Sequence, residues 1–251
     1  MRAVLRLLPH VLTLSNLAAG CVAAIALVRG EFAWVPWCLL VSAVADFLDG
    51  FAARAAGVQG PFGRELDSLA DMVSFGLVPG LMAYAMLGGN GLYRQLGRDL
   101  LARPDNLHTY SIYAYLGLSI TLMSAVRLAR FNVGQADTKH FIGLATPANT
   151  VFWFGLFMTW HTDAHGLRQN LSVPIVILFL VALTSYLLVS DFAYFSNKLN
   201  PAAPRNWPVW AVAAALLVLP WLVGWAAVPI AMGLYVLSPL VWRPEPEASS
   251  S

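Results

Sequence analysis

DFLDGFAARAAGVQGPFGRELDSLAD, residues 46–71, carries two pairs of carboxylates in a chain that is otherwise strongly apolar. Asp46 and Asp49 are three residues apart, and Asp67 and Asp71 are four apart. On a helix either spacing brings two side chains to one face. Gly57, Gly60 and Pro61 lie between the pairs, and a turn there folds the second pair back onto the first. The flanks are FAWVPWCLLVSAVA (32–45) and MVSFGLVPGLMAYAML (72–87), each apolar enough to enter a bilayer. A charge at the bilayer centre costs about 2.5–3.5 kcal/mol on insertion scales, so four unpaired aspartates would cost on the order of 10 kcal/mol. Hard divalent cations bind carboxylate oxygen, and two such ions neutralise four carboxylates. The stretch therefore reads as a dinuclear metal site on a helical hairpin at a membrane–water boundary.

The remainder of the chain fits that reading. It has 251 residues, of which 59% are hydrophobic and 11% charged; a soluble domain carries about 25% charged residues. The expected fold is all-α, a polytopic transmembrane bundle of about eight helices. Their expected positions are about 11–28, 33–56, 62–87, 111–131, 147–161, 172–192, 208–223 and 225–242. Residues 2–9 suggest an interfacial turn ahead of Pro9, and the first apolar run reads as a retained helix, not a cleaved signal. Residues 88–110, 132–146 and 161–170 read as loops. Residues 1–242 form one expected domain, and 243–251 (RPEPEASSS) an expected disordered tail. The net charge of +2 comes with no basic stripe, which argues against nucleic acid as a partner. Cys21 and Cys38 sit in apolar runs and are expected to be buried thiols. With both termini on the cytoplasmic side, that side holds ten of the 15 Lys and Arg residues, as the positive-inside bias requires. Residues 46–71 then face the cytoplasm.

Two divalent ions on four carboxylates suit phosphoryl-type transfer, in which they clamp a diphosphate and stabilise the leaving oxygen. One carboxylate can take a proton from an attacking hydroxyl. Asp71 is the candidate base, because it ends the array nearest the apolar body of the third helix. Gly50, Ala53 and Gly63 form a small-residue face, and Arg54 suits a phosphate oxygen.

Asp46, Asp49, Gly50, Ala53, Arg54, Gly63, Asp67 and Asp71 match the signature D-x2-D-G-x2-A-R-x8-G-x3-D-x3-D, position by position. In this the chain resembles the CDP-alcohol phosphotransferase family. TLSNLAAGCVAAIAL (13–27), ELDSLADMVSFGLVPG (65–80), RLARFNV (127–133) and FIGLATPAN (141–149) look like the phosphatidylserine synthase branch of that family. The resemblance implies transfer of a phosphatidyl group from CDP-diacylglycerol to the hydroxyl of L-serine, with release of CMP. It implies two metal ions, Mg2+ or Mn2+, on Asp46, Asp49, Asp67 and Asp71, with Asp71 as general base. It further implies nucleotide-lipid contacts from Thr13, Asn16, Gly50, Ala53, Arg54 and Gly63. Acceptor contacts are expected from Ser74, Arg127, Arg130 and Asn132, since Arg suits the serine carboxylate. A homodimer in the bacterial cytoplasmic membrane is the implied setting. Other acceptors (glycerol phosphate, inositol, choline) are the nearest alternative. A prenyltransferase is disfavoured because the acidic pairs lie only a short hairpin apart. A cation transporter would have no use for Arg54.

Overall fold

The computed structural model describes residues 2–58, 60–88, 112–134, 143–163, 166–191 and 224–241. Among these residues the secondary structure is helical, with no strand. Helix α1 spans Arg2–Arg29, and α2 spans Val35–Ala56 behind a 3₁₀ turn, Phe32–Trp34. Helix α3 runs Pro61–Met86 and contains a π-helical turn at Met72–Leu77. Helix α4 is Ser119–Gly134, entered through a 3₁₀ segment, Ile112–Leu118. Then come α5 (Thr146–Thr162), α6 (Pro174–Val189) and α7 (Ala227–Val241). Among the described residues, three stretches are long and apolar enough to cross a membrane: Leu7–Arg29, Phe32–Ala56 and Pro61–Met86. The helix expected at about 208–223, the loop at 88–110 and the tail at 243–251 lie outside the described residues, apart from Gly88.

Two expectations are corrected. The turn expected before Pro9 is instead the first part of α1, which runs through Pro9. Proline removes one backbone hydrogen bond, but an apolar setting leaves helix as the means of satisfying the others. The second correction concerns the cysteines: Cys21 is exposed and Cys38 only partly buried. A membrane-spanning helix turns just part of its circumference to its neighbours, so an apolar run does not by itself mean burial against protein.

Helix α1 packs along α2 and against α3, which sets both acidic pairs beside it. Helix α1 approaches the π turn closely at Gly20. A Cβ there would lie 2.9 Å from Ser74 Cα and 3.1 Å from Ser74 Cβ. Because the obstacle includes backbone, Gly20→Ala is expected to destabilise the protein by about 1–3 kcal/mol. Thermal unfolding in detergent checks this, and an unchanged midpoint would contradict the close approach.

The π turn has identifiable causes. Pro79 has no N–H to offer the carbonyl of Phe75 four residues earlier. That carbonyl is instead reached by Thr150 Oγ1 from α5 at 3.0 Å, and the next, Gly76 O, by Thr121 Oγ1 from α4 at 3.1 Å. Helices α4 and α5 therefore both lean on the turn that follows Asp71. The link into α5 is also docked: Leu144 N–H donates to Leu187 O at the end of α6 (2.9 Å). Gly143 has φ +82°, and a Cβ on it would meet Leu188 O at 2.7 Å. The main core lies between α1, α3, α5 and α6, around Trp153, Phe157, Met82 and Leu27.

Candidate active site

Helix α2 ends at Gly57, whose φ of +63° puts it in the left-handed region. Gly57 N–H and Val58 N–H turn back to the carbonyls of Arg54 and Ala53, both at 3.2 Å, a Schellman-type stop. Gly60 is extended and Pro61 opens α3, where a missing N–H is harmless. This tight reversal brings the two acidic pairs face to face. Carboxylate oxygens of Asp46, Asp49 and Asp67 lie within 4.8 Å of one another. Asp71 falls outside that group but adjoins Asp46.

Helix α1 supplies hydrogen bonds to the array. Thr13 Oγ1 lies 2.6 Å from Asp49 Oδ2, with Pro9 O at 2.9 Å as its other acceptor. Asn16 Nδ2 donates to Asp71 Oδ1 at 3.2 Å. Asn16 is itself fixed through its backbone carbonyl, on which the hydroxyls of Ser42 (3.1 Å) and Ser74 (3.0 Å) converge. So Thr13 and Asn16, expected from the sequence at the nucleotide-lipid site, meet the carboxylates themselves.

No ion pair reaches these carboxylates within the described residues, where the single ion pair is Arg29–Glu31 (3.2 Å). Asp67 Oδ1 is buried and has no hydrogen-bond partner. Oxygen-only ligands held this close, one of them orphaned, fit hard divalent ions. Thr13 and Asn16 would then orient the ligands from behind.

The other expected residues are distributed as follows. Arg54 is exposed and curls back along α2, so that a Cβ on Gly50 would lie 3.4 Å from Arg54 Nη1. Gly63 faces α1, where its nearest neighbour is His10 Cε1 at 3.5 Å from a Cβ. Ala53 is partly buried on α2. Among the acceptor candidates, Ser74 is fully buried between α1 and α2 and bonded as described. Arg130 Nη1 donates to Val189 O at 3.1 Å, tying α4 to α6. Asn132 straps α4 to α3: its Nδ2 donates to Glu65 Oε2 (3.2 Å) and its Oδ1 accepts from Ser68 (3.1 Å). Arg127 differs, because its Nε is buried without a partner. Its electrostatic neighbours include Tyr235 and Asp71.

Asn149 and Ser124, not among the residues expected at the site, are both buried with unpartnered side-chain polar atoms. The signal in the sequence is an amide and a hydroxyl set in apolar helices.

A family model described as CDP-alcohol phosphatidyltransferase matches residues 6–190. A Helicobacter pylori protein named CDP-diacylglycerol–serine O-phosphatidyltransferase is 28% identical, over 93% of this chain and 89% of its own length. A Bacillus subtilis protein of the same name is 28% identical over 56% of this chain and 69% of its own. The archaetidylserine synthase of Methanothermobacter thermautotrophicus is 28% identical, over 74% and 69% respectively.

Proposed function

Because the chain belongs to the CDP-alcohol phosphatidyltransferase family, a family of phosphotransferases, we propose that it transfers the phosphatidyl group of CDP-diacylglycerol to L-serine. The products are phosphatidylserine and CMP. The observation that carries this reading is the convergence of Asp46, Asp49 and Asp67 within 4.8 Å, with Asp71 adjoining. The printed names of the similar proteins from H. pylori and B. subtilis support serine as the acceptor.

In the proposed reaction the serine Oγ attacks the phosphorus that bears the diacylglycerol. A new O–P bond forms, the P–O bond to the cytidylyl phosphate breaks, and CMP leaves with the bridging oxygen. Asp71 accepts the serine hydroxyl proton. Its carboxylate is oriented for this by Asn16, whose amide donates to Oδ1. Asp46, Asp49, Asp67 and Asp71 would hold two Mg2+ or Mn2+ ions, which when bound clamp the pyrophosphate and stabilise the leaving oxygen. Arg54, Gly50, Ala53 and Gly63 belong to the pyrophosphate and cytidine side, and Arg127 to the acceptor side.

An eight-span bundle in the bacterial cytoplasmic membrane, with the site open to the cytoplasm, fits this chemistry, because CDP-linked substrates are made there. Trp37, Phe47 and Phe51 are exposed on α2, a face suited to lipid or to the second copy of a homodimer.

Purified protein given CDP-diacylglycerol and Mn2+ or Mg2+ is expected to release CMP with serine, and at background rates with glycerol 3-phosphate, inositol or choline. Release with inositol and none with serine would move the chain to another branch of the family.

A further inference from the structure

Asn149 lies in the first turn of α5, is fully buried, and has no hydrogen-bond partner for either Oδ1 or Nδ2. A buried amide with both ends unmet is costly and calls for an explanation. Its chain neighbour Thr150 reaches Phe75 O in the π turn. On the other flank of that turn, α4 brings Ser124 against Gly76 and carries Arg127 one turn further on. Ser124 Oγ and Arg127 Nε are likewise buried and unpartnered. Tyr235 of α7 links the two flanks. Like Ala148, the residue before Asn149, it packs against Leu144 and Leu187, and it is an electrostatic neighbour of Arg127.

Unmet buried polar groups thus gather on both sides of the turn that follows Asp71, while Ser74, Arg130 and Asn132 already have partners. We infer that Asn149, together with Arg127, binds the amino and carboxyl groups of the acceptor and so determines acceptor specificity. The inference rests on the proposed use of serine and goes beyond it by assigning the pocket. A guanidinium N–H suits a carboxylate. A primary amide presents a donor and an acceptor together, so Nδ2 serves the carboxylate and Oδ1 the ammonium. Bound this way between α4 and α5, a short amino acid directs its hydroxyl toward Asp71. A hydroxyl compound without the zwitterion leaves the same groups unmet, which is the stronger form of discrimination.

The test is Asn149→Leu, with Asn149→Ala alongside, assayed as purified protein for CMP release against serine and CDP-diacylglycerol concentrations. Leucine is close in volume and removes the unmet polar atoms, so a residue without a ligand would tolerate it. The expected result for both variants is a KM for serine raised at least about tenfold, a KM for CDP-diacylglycerol within about twofold, and an unfolding midpoint for Asn149→Leu no lower than wild type. A serine KM unchanged in either folded variant overturns the inference and leaves the proposed function standing. Loss of the folded state in both assigns Asn149 to the packing of α5 and also overturns it. If wild type yields no CMP with serine, the proposed function fails first, and the inference fails with it.

Discussion

Asp71→Asn is expected to yield a folded protein that releases CMP about 10²–10⁴-fold more slowly than wild type, the range typical for loss of a positioned general base. The substitution is nearly isosteric. Asn16 Nδ2, which donates to Asp71 Oδ1 at 3.2 Å, can donate equally well to an amide oxygen, so α1 and α3 keep their contact. What is lost is the carboxylate proposed to take the serine proton. Asp71 also stands outside the three-carboxylate group whose oxygens lie within 4.8 Å, so that group survives the change. Rates of CMP release and the unfolding midpoint, measured on the same preparation, check the expectation. A rate within tenfold of wild type, in a protein of unchanged midpoint, would take the role of base away from Asp71 without disturbing the fold.

Much of this site is legible in the sequence, because helical periodicity is local. The three- and four-residue spacings put each pair on one face, and Gly57 with Pro61 marks the reversal between them. Helix ends are legible for the same reason: the second, third and fifth helices, expected at about 33–56, 62–87 and 147–161, are found at Val35–Ala56, Pro61–Met86 and Thr146–Thr162. What periodicity cannot encode is which polar side chain meets which. Thr13 and Asp49 are 36 residues apart, and Asn16 and Asp71 are 55 apart. Thr13 and Asn16 stand out in sequence as polar residues in an apolar helix, but their partners follow only once α1 is laid against the hairpin. The π turn is hidden as well, since its cause lies partly in Pro79 and partly in hydroxyls from α4 and α5. The acceptor candidates were the least legible. Arg127, Arg130 and Asn132 look equivalent at the end of one helix, yet Arg130 and Asn132 tie helices together and Arg127 alone of the three keeps a buried, unpartnered donor.

Chelation is expected to abolish CMP release and Mg2+ or Mn2+ to restore it, with Asp67→Asn lowering the rate at least about a hundredfold even at saturating metal. The reason is electrostatic. Two unit charges 4.8 Å apart, the outer limit for this group, repel by roughly 3.5 kcal/mol at an effective dielectric of about 20. No ion pair offsets that repulsion among the described residues. A divalent ion converts it into attraction, so metal binding should also stabilise the fold. The unfolding midpoint of wild type should therefore rise with added Mn2+, as linkage requires of a ligand that binds only the native state. Asp67 contributes an oxygen that has no other partner, so Asp67→Asn should remove most of that rise, whereas Asp71→Asn should keep a larger part of it. This contrast separates a member of the three-carboxylate group from Asp71, proposed as base as well as ligand, without relying on turnover. Undiminished CMP release after exhaustive chelation, or a midpoint indifferent to Mn2+ in wild type, would show that the three carboxylates are held together by something other than metal.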